Sequence, residues 1–218
     1  MILDIAEIKN NREEILSFLS SYNRPGTQEF SQWLQTTDFF VAPASTVFHL
    51  NVPGGLAKHS LNVGAVLYKQ VQACGLTYTE EQCKFLGLLH DLCKVNFYLL
   101  KNKWVKNDAT NKWMETPGYG VEDNYPLGHG EKSAIMASRY FKDLSIDELA
   151  AIRWHMGAHE ISVLVPYSPT SPSYHDACKK IPLVTLICSA DMIAANILEE
   201  TEDLSKHELS TMKYLTSI

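Results

Sequence analysis

Residues 88–94 read LLHDLCK, which sets a histidine and an aspartate side by side in an apolar run. The residues around them repeat at helical spacing, so His90 and Asp91 adjoin a face that is destined for the core. Burying a carboxylate without a partner costs several kcal/mol. The chain must therefore fold so that a charged or hydrogen-bonding group meets Asp91.

The same conflict recurs at four more positions, each at or near the apolar surface of a predicted helix: His59, His129, His155 and Asp191. Taken singly, each histidine is more often a satisfied core or capping residue than a ligand, and Asp191 could pair with Arg153. Taken together with His90 and Asp91, a shared metal site accounts for all six. Neutral imidazoles and carboxylates suit Mn, Fe, Co, Ni or Zn. We therefore expect one or two divalent transition metal ions of open identity.

The remaining pattern predicts an all-α fold with one small β-hairpin. The chain has 218 residues, of which 45% are hydrophobic, and these suffice for one sizeable core. Capping-box patterns predict that helices begin after Thr79 and Ser145. Further helices are predicted at Leu56–Ala73 and at 182–199. We expect an N-terminal helical segment (1–44), a metal-binding core (45–200) and a helical tail (201–218).

Two segments break the helical pattern. Tryptophan and valine alternate around a polar turn in KNKWVKNDATNKWMETPGYGVED, which predicts a β-hairpin near residues 101–121. Residues 162–175 are rich in proline and serine, which predicts a long loop. The hairpin aromatics Trp104, Trp113 and Tyr119 would either stack a base or pack the hairpin onto the helices.

Charge and composition exclude several protein classes. The net charge of −6 lacks the basic footprint of a general nucleic-acid binder, which leaves small or single-stranded substrates open. Asp191 interrupts the most apolar stretch, so we expect no membrane span. The five cysteines form no CxxC pair and, with no signal-peptide layout, favour reduced thiols and a cytoplasmic location. The oligomeric state stays open.

The order H…HD…H…H…D resembles the HD superfamily of metal-dependent phosphohydrolases, over roughly residues 45–200. The matching pieces are GGLAKHSLNV, LLHDLCKV, YPLGHGEKSA, IRWHMG and ICSADMIAA. The resemblance implies a helical core with a metal site at its centre. It implies one metal held by His59, His90, Asp91 and Asp191, and a second added by His129 and His155, with Asp91 as the bridge. Some dinuclear members carry adjacent histidines near the fifth position, where this chain has Trp154 before His155; His159 is left out of the set.

The resemblance also implies hydrolysis of a phosphate ester, by a phosphomonoesterase or phosphodiesterase acting on a nucleotide or short oligonucleotide. Asp91 would position the metals and help to handle the proton of the attacking water, and Lys94 would meet the phosphate as a point charge. Arg153 and Lys132 flank proposed ligands and are weaker candidates for binding the substrate. Two alternatives stay open: a di-iron oxygenase of the same superfamily, and a non-catalytic helical domain that binds a nucleotide.

Overall fold

The fold is a set of helices with one inserted hairpin, and the computed structural model describes residues 3–107, 110–159 and 170–217. The helices are α1 (Ile5–Ser21), α2 (Thr27–Gln35), α3 (Gly55–Ala73), α4 (Glu80–Leu89), α5 (His129–Ser138), α6 (Ile146–Trp154), α7 (Thr170–Lys180), α8 (Pro182–Ile193) and α9 (Leu209–Leu215). Short 3-10 turns occupy Leu92–Lys94, Gly157–His159 and Leu204–Lys206, and a π-helical turn, Ala194–Leu198, extends α8. The predicted fold class is confirmed.

The predicted hairpin lies between α4 and α5, and it begins earlier in the chain than the sequence predicted. Strand β1 (Tyr98–Asn107) pairs antiparallel with β2 (Lys112–Val121), in a register that runs from Tyr98 opposite Val121 to Asn107 opposite Lys112. The hairpin therefore begins three residues earlier than its predicted start at residue 101.

Side-chain caps determine where several helices begin. Asp4 caps α1 by accepting from the backbone N–H of Glu7 at 2.7 Å. Thr79 and Gln82 form a reciprocal capping box at the start of α4, and Ser145 and Glu148 form another at the start of α6. Both predicted capping boxes are confirmed, and each satisfies backbone donors that the first turn leaves unpaired.

The helix that was predicted to carry LLHDLCK ends before the His-Asp pair. Helix α4 ends at Leu89, His90 is its C-terminal cap, and Asp91 takes a non-helical backbone conformation (φ −109°, ψ 22°). The imidazole Nδ1 of His90 lies 2.8 Å from the carbonyl oxygen of Gly87. A continuing helix would have used that carbonyl for the N–H of Asp91. The ring therefore replaces the next helical hydrogen bond.

The predicted loop at 162–175 is wrong over its second half. Residues 162–169 lie outside the described residues, and α7 begins at Thr170. Pro172 lies in the first turn of α7, where its missing N–H leaves no helical hydrogen bond unmade. The second His-Asp pair, His175 and Asp176, consequently lies on this helix.

Helix α3 lies against both α4 and α8 and so connects the parts of the chain that carry the polar residues. The approach to α4 is close: a Cβ built on Gly87 would lie 2.6 Å from the carbonyl oxygen of Ser60. The main core is formed by residues of α1 to α6 and α8, among them Ile15, Phe85 and Ile187. A second cluster, which includes Tyr119 and Met212, packs the base of the hairpin. The division into three segments stays a prediction.

The helix that holds Asp191 belongs to the most apolar stretch of the chain, and it packs against α3 and α6. Within the described residues, no single helix has both the length and the apolar character to cross a bilayer. Ser171–Lys180 and Pro182–Leu198 reach that threshold only as a pair, across a bend of 104°.

Candidate metal centre

All six predicted ligands converge on one site in the interior. Helix α3 carries His59, α5 begins with His129, and α8 carries Asp191, while the ends of α4 and α6 supply the others. Four of the six are buried from solvent: His59, His90, Asp91 and His155. Polar side chains of this kind are rarely buried together unless they satisfy each other or bind a cation.

Asp91 lies at the centre of the site, and its two oxygens face different histidines. Its Oδ1 lies 2.8 Å from Nε2 of His129 and 3.5 Å from Nε2 of His155. Its Oδ2 lies 3.3 Å from Nε2 of His90 and 3.5 Å from Nε2 of His59. A carboxylate placed in this way can serve two metal positions at once.

The ligand atoms fall into two groups that meet at Asp91. The first joins His59, His90 and Asp191, with Nε2 of His59 lying 3.1 Å from Oδ1 of Asp191. The second joins Asp91, His129 and His155. Within each group, one atom from every residue lies within 4.8 Å of the others. Three nitrogen and oxygen ligands at such separations suit a divalent transition metal.

The end of each helix orients its histidine as a ligand. Nδ1 of His90 donates to the carbonyl of Gly87, and Nδ1 of His155 donates to the carbonyl of Ile152 at 2.7 Å. Each Nε2 is left with a lone pair that points into the site. The Nε2 of His155 is buried and has no hydrogen-bond partner within the described residues. An unpaired buried acceptor of this kind fits a metal ligand.

A carboxylate that sequence reasoning missed supports the first group. Glu199 lies 3.0 Å from Nδ1 of His59 and 2.6 Å from Nδ1 of His49, and it accepts a hydrogen bond from Asn62 at 2.9 Å. Such a carboxylate fixes the tautomer and orientation of a metal-binding imidazole. The available signal was its spacing of eight residues from Asp191, about two helical turns.

The charges of the site favour a cation. Burial would raise the pKa of Asp91, but Lys94 and His90 outweigh that effect and hold it well below its ordinary range. Burial would likewise raise the pKa of Glu199, but hydrogen bonds from His49 and His59 lower it to about 2. Burial would also raise the pKa of Asp191, but the hydrogen bond and the charge of His59 hold it below its ordinary value. Three ionised carboxylates, Asp91, Asp191 and Glu199, thus surround two cationic side chains: Lys94, whose Nζ lies 2.6 Å from Asp91, and His59. The excess of negative charge matches a divalent ion.

The raised pKa of His59 reflects the same excess of negative charge. Burial alone would lower the pKa of His59, yet hydrogen bonds with Asp191 and Glu199 raise it to about 10. A metal ion would take the place of that proton between the carboxylates, because metal ligation requires the neutral imidazole.

A cleft of about 560 Å³ opens onto the site. Its lining includes Lys94, His129 and Asp191, together with His49 and Tyr98. A small substrate therefore has a path to the ligands. His159, left out of the predicted ligand set, also lines this cleft.

Two predicted substrate-binding residues lie elsewhere. Lys132 is buried, donates to Asp123 at 2.6 Å and lines a different cleft. Arg153 forms an ion pair with Glu131, and its guanidinium lies 4.0 Å from the ring centre of Trp154. Of the three predicted phosphate-binding cations, Lys94 is the one that the structure brings to the cleft.

Fold and site together define a helical domain with a histidine- and aspartate-rich metal-binding centre. Residues 56–196 match the family model of the HD domain, which is more than half of the chain. The chain belongs to the HD domain family, whose members are generally metal-dependent phosphohydrolases. Comparison with curated proteins and with solved structures gives no match.

Proposed function

We propose that this protein hydrolyses a phosphate ester of a nucleotide or short oligonucleotide. The observation that carries the proposal is the position of Asp91, whose two oxygens face two ligand groups beside Lys94 and below an open cleft. Hydrolysis forms a bond from a water oxygen to phosphorus and breaks the bond from phosphorus to the ester oxygen. The proton of the water ends on the released alcohol.

The residues divide into two sets of metal ligands. His59, His90, Asp91 and Asp191 would hold one divalent ion, and His129 and His155 would join Asp91 around a second. Bound metal of this kind lowers the pKa of water and neutralises charge on the phosphoryl oxygens. Asp91 stays ionised because its pKa is lowered, so its main task is to position the ions.

Lys94 is the residue best placed to meet the substrate. Its ammonium group has three donors, of which one is used by Asp91, and the side chain lines the cleft. It can therefore hold Asp91 and a phosphoryl oxygen at the same time. The negative charge that develops on that oxygen during attack would be stabilised by a preorganised cation.

Hydrolysis of bis(p-nitrophenyl) phosphate, p-nitrophenyl phosphate and a panel of nucleotides would test the proposal, with Mn, Fe, Co, Ni or Zn added. We expect metal-dependent release of alcohol that Asp91→Ala abolishes and Lys94→Met lowers about 100-fold. Asp176→Ala, which alters the exposed His-Asp pair of α7, is the matched control and should leave the rate unchanged. Failure to cleave any of these esters would contradict the proposal, and oxygen consumption by the iron-loaded protein would favour the oxygenase alternative.

A further inference from the structure

The outer half of the hairpin presents two tryptophans to solvent. Trp104 is 66% exposed and Trp113 is 64% exposed. Trp104 pairs with Glu115, and Trp113 pairs with Lys106. Residues opposite each other, and residues two apart on a strand, share one face of a hairpin. Both tryptophans, Lys106 and Glu115 therefore lie on the same face.

The same face leads back to the candidate metal centre. Tyr98 lies six residues before Trp104 on β1, which places it on the face of the tryptophans, and it lines the cleft above the ligands. At about 3.3 Å per residue, Trp104 is about 20 Å along the strand from the cleft. Phe48, which is 69% exposed, adds a further aromatic ring to the lining of the cleft.

The hairpin is basic although the protein is acidic. Its two strands carry the lysines Lys101, Lys103, Lys106 and Lys112. Glu115 is the one acidic residue within the strand ranges, whereas the whole chain has a net charge of −6. Aromatic faces that stack bases, interleaved with lysines that neutralise phosphates, are the features by which proteins bind single strands.

We propose that the hairpin is an arm that binds single-stranded nucleic acid and leads the end of the strand into the metal cleft. Bases stack on Trp104 and Trp113, and a phosphate lies near Lys106 on the same face, while Lys101, Lys103 and Lys112 on the opposite face add positive charge to the arm. The inference rests on the proposed function and narrows its substrate to an oligonucleotide phosphodiester. The span from the tryptophans to the cleft covers several nucleotides.

Fluorescence anisotropy of labelled oligo(dT) of about twelve nucleotides tests the arm. The full chain is measured first with its metal chelated, so that the probe is not cleaved, and then with metal restored. We expect the double variant Trp104→Ala and Trp113→Ala to raise the Kd about tenfold or more in both states. Tyr214→Ala, which removes an equally exposed ring from α9, should leave the Kd unchanged.

The contribution of the lysine is tested by measuring how binding affinity depends on salt concentration. Lys106→Ala should reduce the slope of log K against log salt by about 0.7, because each phosphate contact with a single strand contributes about that much. Lys180→Ala, an exposed lysine on α7, is the matched control. All these variants should hydrolyse bis(p-nitrophenyl) phosphate at the unaltered rate, since none lines the cleft.

Three results would contradict the proposal that the hairpin binds single strands. The first is an unchanged Kd in the tryptophan variant, and the second is equal affinity for a duplex of the same length. The third is tryptophan-dependent binding to anionic lipid vesicles without oligonucleotide binding. Each leaves the proposed function standing if the small diester is still cleaved. Absence of hydrolysis by the unaltered protein would instead reject the proposed function, while the binding assay reports on the arm by itself.

Discussion

The Nε2 atoms of His59 and His90 lie 3.2 Å apart in the buried interior of the protein. Since His90 donates through Nδ1 to a backbone carbonyl, its Nε2 carries the lone pair that points at His59. Two rings aimed at one point, with Asp191 beside them, form a pocket for a cation. A proton on His59 satisfies the arrangement in part, and a metal ion satisfies all three residues.

Removing the central carboxylate should remove the metal. We expect about two metal ions per chain in the unaltered protein, because Asp91 serves two ligand groups, and loss of both in Asp91→Ala. Mass spectrometry of protein purified without chelators or a metal-binding tag would measure this. Asp91→Asn, which keeps the shape of the side chain, guards against a folding defect in Asp91→Ala. Asp176→Ala should retain the full complement, and one ion per chain in the unaltered protein would make His129 and His155 substrate contacts instead.

Glu199 should raise the affinity for metal through His59. Glu199→Gln keeps an acceptor for Nδ1 but loses the charge, and Glu199→Ala loses both, so affinity should fall about 10-fold and about 100-fold respectively. Competition with a chromogenic chelator measures the Kd without reference to activity. Glu80→Gln, an exposed carboxylate at the opposite end of α4 from the site, is the control. Equal affinities in all three variants would show that Glu199 serves only folding.

The six candidate ligands could be predicted because each is a polar residue at a position where the helical pattern calls for an apolar one. His59, His90, Asp91, His129, His155 and Asp191 interrupt apolar helical patterns, and such interruptions are visible in a sequence. Glu199 was missed because it is the last residue of the predicted helix (182–199) and stands among other acidic residues, where an exposed position is the ordinary expectation. Its burial depends on the π-helical turn that extends α8 and on contacts with His49 and Asn62, which lie more than 130 residues away in the chain. Lys132 and Arg153 were predicted to bind substrate because they are close in sequence to candidate ligands. Their ion pairs with Asp123 and Glu131 hold them elsewhere, and such tertiary contacts are not visible in the sequence.

Arg24 should stabilise the fold by joining the N-terminal helices to α6. Its guanidinium contacts Glu148 at 2.6 Å and Asp143 at 3.1 Å, and it lies 4.7 Å from the ring centre of Phe85. Arg24→Met would leave Glu148 buried without its main partner, which costs about 3 kcal/mol of unfolding free energy. Urea denaturation at neutral pH measures it. An unaltered midpoint would show that the capping box alone satisfies Glu148.

The pairing of Arg24 with Glu148 also makes the stability of the fold depend on pH. Burial would raise the pKa of Glu148, but the hydrogen bond and charge of Arg24, together with hydrogen bonds from Ser145, outweigh burial and lower the pKa below its ordinary value of 4.5. The stabilisation is therefore complete above that ordinary value and is lost as the pH falls through the lowered one. As the pH is lowered below the ordinary pKa of 4.5, the urea midpoint should fall less steeply for Glu148→Gln than for the unaltered chain. Parallel curves would contradict the assignment.

Gly87 should be intolerant of a side chain. A Cβ there would lie 2.6 Å from the carbonyl of Ser60 and 2.7 Å from the backbone nitrogen of Gly64, so Gly87→Ala must push α3 and α4 apart. We expect a loss of about 1–3 kcal/mol in unfolding free energy and a weaker affinity for metal, since His59 and His90 lie on those two helices. Gly120→Ala, whose Cβ meets the flexible end of Lys101, should have little effect. Unchanged metal affinity in Gly87→Ala would show that the two ligands do not depend on this packing.

The ligands come from five separate parts of the chain, from His59 on α3 to Asp191 on α8. An unfolded chain holds these residues far apart and offers no site, so an ion held by either ligand set acts as a cross-link that exists in the native state alone. Its binding free energy is then added to the free energy of folding. The metal would thus hold the native state together as well as supply its chemistry, and protein stripped of the metal would unfold more readily.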